Sequence, residues 1–167
     1  ARDAGFDPEQ GQIKLNAVMT RSGNADQLLG LAGLARERGL ELRLIEFMDV
    51  GNRNCWSLES VLTADEMVKM IDQSWPLEAL ERQPHGTTLR WRYRDGQGLL
   101  SVIASITSPF CGDCNRLRVT ADGKAYTCLF ATPESGIDLK PLLDPTADLD
   151  DLRIGLSSLW SQRFDRY

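Results

Sequence analysis

Ile13-Lys-Leu-Asn-Ala-Val-Met-Thr20 alternates apolar and polar residues and then runs apolar, the pattern of a strand that ends at a polar loop. Asn24, with Gln27 three positions on, offers a helix start; Leu28, Leu31, Leu34 and Ala35 keep helical spacing until Gly39 stops it. A second strand is predicted over Glu41-Leu-Arg-Leu-Ile-Glu-Phe-Met48. Strand, helix and strand with short links form a βαβ unit, which places the two strands parallel and near each other.

Outward from that unit the grammar changes. Residues 51–56 read as a loop, and Thr63-Ala-Asp-Glu66 is a capping box opening a helix to about Ser74. Residues 88–94 and 99–107 are strand-like and joined by Asp95-Gly96-Gln97-Gly98. Residues 116–121 and 124–129 flank Asp122-Gly123, a two-residue hairpin signal that predicts Cys128 opposite Leu117. A last helix is expected from Asp148, with Leu149, Leu152, Leu156, Leu159 and Trp160 at helical spacing. The expected class is α+β: a βαβ unit over residues 1–52, then an antiparallel sheet with flanking helices over 53–167.

The chain has 167 residues, 42% of them hydrophobic and 26% charged, enough to build a core and too apolar for disorder. No apolar run approaches the ~18 residues of a spanning helix, and no basic-then-apolar signal peptide opens the chain. A soluble, cytoplasmic protein with no membrane partner is expected. The 19 basic and 24 acidic residues leave −5, and residues 133–151, with six acids and one lysine, account for it. That balance argues against a nucleic-acid partner, which requires a summed basic field, but not against a small anionic ligand. Because the chain opens at Ala1 without an initiator and closes within a helical pattern, it is expected to be a fragment.

Three of the four cysteines form Cys111-x2-Cys114-x13-Cys128. Without a secretory signal, such spacing points to a metal rather than to disulfides. Structural zinc would recruit a fourth ligand from Cys55, His85 or Asp113. An iron-sulfur cluster held by three thiolates would leave one iron open to substrate. Spacing alone favours zinc and does not settle the choice. Arg116 and Arg118 alternate across Leu117 directly after the cysteine pair, and two guanidinium forks beside a metal suit a phosphate; the competing reading is a solvated strand face. Lys14 and Asn16 share one face of the first strand, in keeping with a ligand cleft or with a wet edge. Arg43 and Met48 on the second strand are weaker candidates, since surface and core roles explain them equally well. Glu46 and Asp49 are candidate catalytic carboxylates without an identifiable partner, and His85, the lone histidine, receives no role.

The stretch Phe110-Cys-Gly-Asp-Cys-Asn-Arg-Leu-Arg-Val-Thr-Ala-Asp-Gly-Lys-Ala-Tyr-Thr-Cys-Leu-Phe130 closely resembles the C-terminal cluster segment of the radical SAM GTP 3',8-cyclase family of molybdenum cofactor biosynthesis. Ile13-Lys-Leu-Asn-Ala-Val18, Arg43-Leu-Ile-Glu-Phe-Met-Asp-Val-Gly51 and the helix from Leu159-Trp160 to Asp165-Arg-Tyr167 extend the resemblance over nearly the whole chain.

The resemblance implies a 4Fe-4S cluster on Cys111, Cys114 and Cys128, with its fourth iron free for the guanine base of GTP, and so reverses the preference for zinc. By the same resemblance Arg116 and Arg118 bind the triphosphate, with Leu117 between them in the GTP-binding stretch. Lys14 contacts GTP, Arg43 lines the same cavity, Met48 touches S-adenosylmethionine, and Cys55 is a non-ligand loop thiol.

The fold implied is the last βαβ part of an incomplete radical SAM (β/α) barrel, followed by a cluster- and substrate-binding domain. The family's radical-generating Cys-x3-Cys-x2-Cys loop, which holds a second 4Fe-4S cluster, and its paired-glycine tail have no counterpart here. The chain is therefore expected to carry no catalytic residue and to be unable to cleave S-adenosylmethionine alone. Its implied partners are GTP, the N-terminal half of the barrel and the next pathway enzyme, cyclic pyranopterin monophosphate synthase, and a homodimer is left open. A zinc-stabilised binding module is the competing reading, and another radical SAM enzyme with an auxiliary cluster is a third.

Overall fold

The computed structural model describes residues 1–8, 10–50, 55–83 and 86–163, apart from the Asp113 side chain. His85, most of the expected 51–56 loop, Asp113 as a ligand and the Asp165-Arg-Tyr167 match lie outside the described residues. The chain divides into two compact units, Ala1–Phe110 and Cys111–Tyr167.

In the first unit the expected βαβ forms. Strand β1 (Lys14–Met19) is followed by helix α1 (Leu28–Glu37) and strand β2 (Glu41–Glu46). The two strands pair in parallel, Lys14 with Glu41 through Met19 with Glu46. Asn24 does not cap the helix as expected: its side-chain oxygen accepts from Thr20 N at 2.9 Å and its amide donates to Val18 O at 2.9 Å, so it closes the loop after β1. Gly39, at φ +63°, ends α1 in the left-handed region, and Leu40 N returns to Ala35 O at 2.8 Å in a Schellman pattern. Thr63 and Glu66 form the expected capping box on helix α2 (Ala64–Ser74). Glu66 also takes both arms of Arg21 at 2.8 Å, and these bonds, with those from Thr63, hold its carboxyl down at about 2.

Strand β5 (Leu99–Ile103) pairs in parallel with β2, and β4 (Leu89–Tyr93) and β3 (Leu77–Leu80) continue the sheet antiparallel, giving the order β1-β2-β5-β4-β3. Because β5 hydrogen-bonds to β2, these later strands complete the first unit's sheet, and compactness divides the chain at 110/111 where the change in sequence grammar lies at 52/53. The expected antiparallel region is thus two sheets, one mixed and one antiparallel.

The period-2 alternation of the strands separates two faces. Met19, Leu42, Leu44, Leu100 and Val102 are fully buried and share one core with Leu28 and Ala32 of α1 and Met67 and Ile71 of α2. Lys14, Asn16, Glu41, Arg43, Ser101, Arg90 and Arg92 occupy the opposite face, as the register requires. Glu46, a catalytic candidate in the sequence, is fully buried on the core side. Its carboxylate accepts from Ala64 N at 2.8 Å, Ile106 N at 2.7 Å, Thr107 N at 2.9 Å and the Thr107 hydroxyl at 2.5 Å. It is an anchor joining β2, the start of α2 and the segment after β5.

In the second unit, β6 (Arg118–Val119), β7 (Lys124–Tyr126) and β8 (Ile137–Asp138) form a three-stranded antiparallel sheet. Arg118 faces Tyr126 and Val119 faces Ala125, one position off the register that would set Cys128 opposite Leu117. Thr120 N donates to Lys124 O at 2.9 Å and Gly123 N to Thr120 O at 2.9 Å, with Gly123 at φ +82°. The connection is therefore a three-residue loop whose last member is left-handed, not the two-residue turn expected from Asp-Gly. Gly136 is held to glycine by close approach: a Cβ there would lie 2.4 Å from the Tyr126 ring. Helix α3 (Leu149–Ser161) starts at Asp148, whose side chain accepts from Asp150 N at 2.9 Å. None of its residues is buried, and Leu149 is 79% exposed. Among the described residues no helix is long and apolar enough to cross a membrane.

Candidate metal centre and anion-binding residues

Cys111–Asp113 form a short 3-10 turn, and Cys114 N reaches back to Cys111 O at 3.4 Å. That turn sets the first two thiols three residues apart on a tight bend, with Cys114 buried and Cys111 half-buried. Cys128, also half-buried, follows β7, and its sulfur accepts from Phe130 N at 3.4 Å.

Arg116 Nε donates to Cys114 Sγ at 3.2 Å. Burial pushes the Cys114 thiol up, but hydrogen bonds from Arg116 and the charges of Arg116 and Arg163 outweigh it and hold the thiol below its ordinary range. Three thiols, one of them beside guanidinium groups that favour the thiolate, are soft donors that suit an iron-sulfur cluster with one iron left open. Among the described residues no three His, Cys, Asp or Glu side chains stand close enough to hold a single metal ion.

Arg116 precedes the strand; only Arg118 lies in β6, where its Nη1 donates to Arg116 O at 3.3 Å and Thr127 O at 3.4 Å. Leu117 between them is 42% exposed. The two guanidiniums belong to residues two positions apart in the chain but are not two rungs of one strand face.

In the first unit Lys14, Arg43 and Ser101 converge on one carboxylate. Glu41, 8% exposed, accepts from Ser101 Oγ at 2.7 Å and Arg43 Nε at 3.1 Å, and pairs with Lys14 Nζ at 3.3 Å. Burial raises the Glu41 carboxyl, but these three partners outweigh it and keep the group below the usual carboxylate range. Arg90 adds a guanidinium to the same face, and its buried Nε has no hydrogen-bond partner among the described residues. These cations line an open cleft of about 1430 Å³. Met48 lies half-buried just past the end of β2, and Cys55 is exposed at φ +47°.

Residues 40–167 match the family model described as Molybdenum Cofactor Synthesis C. The chain belongs to the molybdenum cofactor synthesis C family. It is 62% identical over 167 residues to a GTP 3',8-cyclase of Parasynechococcus marenigrum, covering all of this chain and 47% of that protein. It is 56% identical over 167 residues to the GTP 3',8-cyclase of Synechococcus sp. strain CC9902, covering all of this chain and 48% of that protein. The GTP 3',8-cyclase of Acidothermus cellulolyticus is 44% identical over 172 residues, again with all of this chain and 46% of the relative. The chain thus spans about half the length of the curated relatives it matches, and corresponds to their C-terminal half.

Three residues of this family member escape sequence reading: Glu41, Arg90 and Arg163. Glu41 and Arg90 lie on strands whose alternation marks the polar face without saying which groups on it meet. Arg163 sits 49 residues from its partner Cys114, beyond any local pattern.

Proposed function

We propose that this chain is the substrate-binding part of a radical SAM lyase, a GTP 3',8-cyclase acting in molybdenum cofactor biosynthesis. Cys111, Cys114 and Cys128 hold a 4Fe-4S cluster, which when bound supplies an open iron for the guanine base of GTP. Arg116 and Arg118, with Leu117 between them, bind the triphosphate through forked donors that stay charged. Lys14 and Arg43 are further GTP contacts, kept in place by Glu41. Met48 would contact S-adenosylmethionine, and its cleavage would be the chemistry supplied by a second 4Fe-4S cluster held by the N-terminal half. This chain orients the nucleotide and does not by itself cleave S-adenosylmethionine.

The polar face of β1 and β2 is the interior wall of an incomplete (β/α) barrel, with residues 1–52 supplying its last βαβ part and residues 53–167 carrying the cluster- and substrate-binding functions. The protein works in the cytoplasm and hands its product to cyclic pyranopterin monophosphate synthase. The observation that carries this reading is the hydrogen bond from Arg116 Nε to Cys114 Sγ, which joins a phosphate-suited fork to a metal-suited thiol in one turn.

Arg116→Ala is expected to weaken GTP binding by about tenfold or more, the equivalent of ~1.5 kcal/mol for a charged hydrogen bond. Titration of the anaerobically reconstituted chain with GTP measures it. Unchanged affinity with full iron content would point to a different substrate.

A further inference from the structure

We propose that Arg163 is a positioning residue that locks the Cys111–Cys114 turn before and after the cluster binds; the inference rests on the cluster reading above. Both arms of its guanidinium are engaged within the turn. Nη2 donates to Cys111 O at 2.9 Å and Nη1 donates to Cys114 O. These carbonyls bracket the 3-10 turn, so one rigid fork fixes the separation of the two ligand-bearing backbone positions. An arginine suits this task because its planar donors hold a fixed spacing, which an ammonium on a flexible stem does not reproduce.

The fork is itself held. Its carbon stands 5.4 Å from the centre of the Trp160 ring, three residues earlier, so the last turn of α3 aims the guanidinium. This also gives a purpose to a helix that buries none of its residues: its end delivers Arg163 to the metal turn. Cys111 and Cys114 sit on a short turn whose own closing hydrogen bond is long, 3.4 Å, so the turn has little local reason to hold one shape. Partners outside the ligand shell commonly change metal affinity by roughly 10–100-fold, and a cation beside thiolates also favours the reduced, more negative state of a cluster.

Arg163→Gln and Arg163→Lys in the anaerobically reconstituted chain test the proposal with three readouts. Iron loss to an excess of chelator is expected to accelerate about tenfold in Arg163→Gln. Arg163→Lys, which keeps the charge but reaches one carbonyl at a time, is expected to fall between it and the unmodified chain. The cluster's reduction potential is expected to move to more negative values in Arg163→Gln and to return towards the original in Arg163→Lys, a pattern that a general loss of folding does not produce. Amide hydrogen exchange over residues 111–115 of the metal-free chain is expected to speed up in both variants, with exchange in β6, β7 and β8 unchanged.

Iron retention within twofold of the unmodified chain, with the same potential and the same exchange in Arg163→Gln, would overturn the role of Arg163 and leave the cluster reading intact. An unmodified chain that takes up no iron would remove the cluster reading and this proposal with it.

Discussion

Glu46→Ala is expected to lower the stability of the first compact unit by about 4 kcal/mol, enough to leave a large fraction of a marginal domain unfolded. The carboxylate is fully buried and accepts three backbone N–H groups and one hydroxyl. Truncation strands those donors in a dry site, and each buried unsatisfied group costs about 1–3 kcal/mol, partly relieved where water enters the cavity. One of the donors is the first residue of α2, so the change also removes a negative charge from a helix N-terminus. Glu46→Gln keeps the shape but turns an amide NH2 towards donors, and is expected to recover only part of the loss. Urea unfolding followed by the fluorescence of Trp75 and Trp91, which pack against this core, measures both. A loss below about 1 kcal/mol for Glu46→Ala would contradict the anchoring role.

Cys128→Ala is expected to reduce iron in the reconstituted chain from about four per chain to less than one, because two thiolates from a single turn do not retain a cluster whose other irons have no protein ligand. Cys55→Ser is expected to leave iron content unchanged, since that thiol is exposed on a separate loop. Anaerobic iron and sulfide analysis of the two variants side by side gives the comparison. Equal iron loss in both would make Cys55 a ligand and redraw the site.

The parts of the fold legible in the sequence are those written in local periodicity. The βαβ unit, the Thr63 capping box and the start of α3 at Asp148 all follow from patterns only a few residues long. β3 was invisible because Leu77-Glu-Ala-Leu80 has no β-branched residue and no clear alternation; it is a strand because it pairs with β4. β8 is two residues long, set by pairing with β7. The hairpin register differs by one position from the expected one because Gly123 serves equally as the second residue of a two-residue turn and as the left-handed end of a three-residue loop.

The candidate site divides along the same line. Spacing picks out Cys111, Cys114 and Cys128 and proximity picks out Arg116, but neither chooses between zinc and a cluster. Glu46 shows the reverse failure: an acidic residue near a strand end reads as chemistry, and only its burial and four donors reveal an anchor. Glu41 holds cations from two strands and a hydroxyl from a third, an arrangement that exists only once the sheet is assembled.

The most direct test of the metal assignment is the metal and sulfide content of the unmodified chain, purified and reconstituted under strictly anaerobic conditions. About four irons and about four acid-labile sulfides per chain, in a brown protein without stoichiometric zinc, are predicted. A colourless chain carrying one zinc per molecule under the same handling would contradict the account.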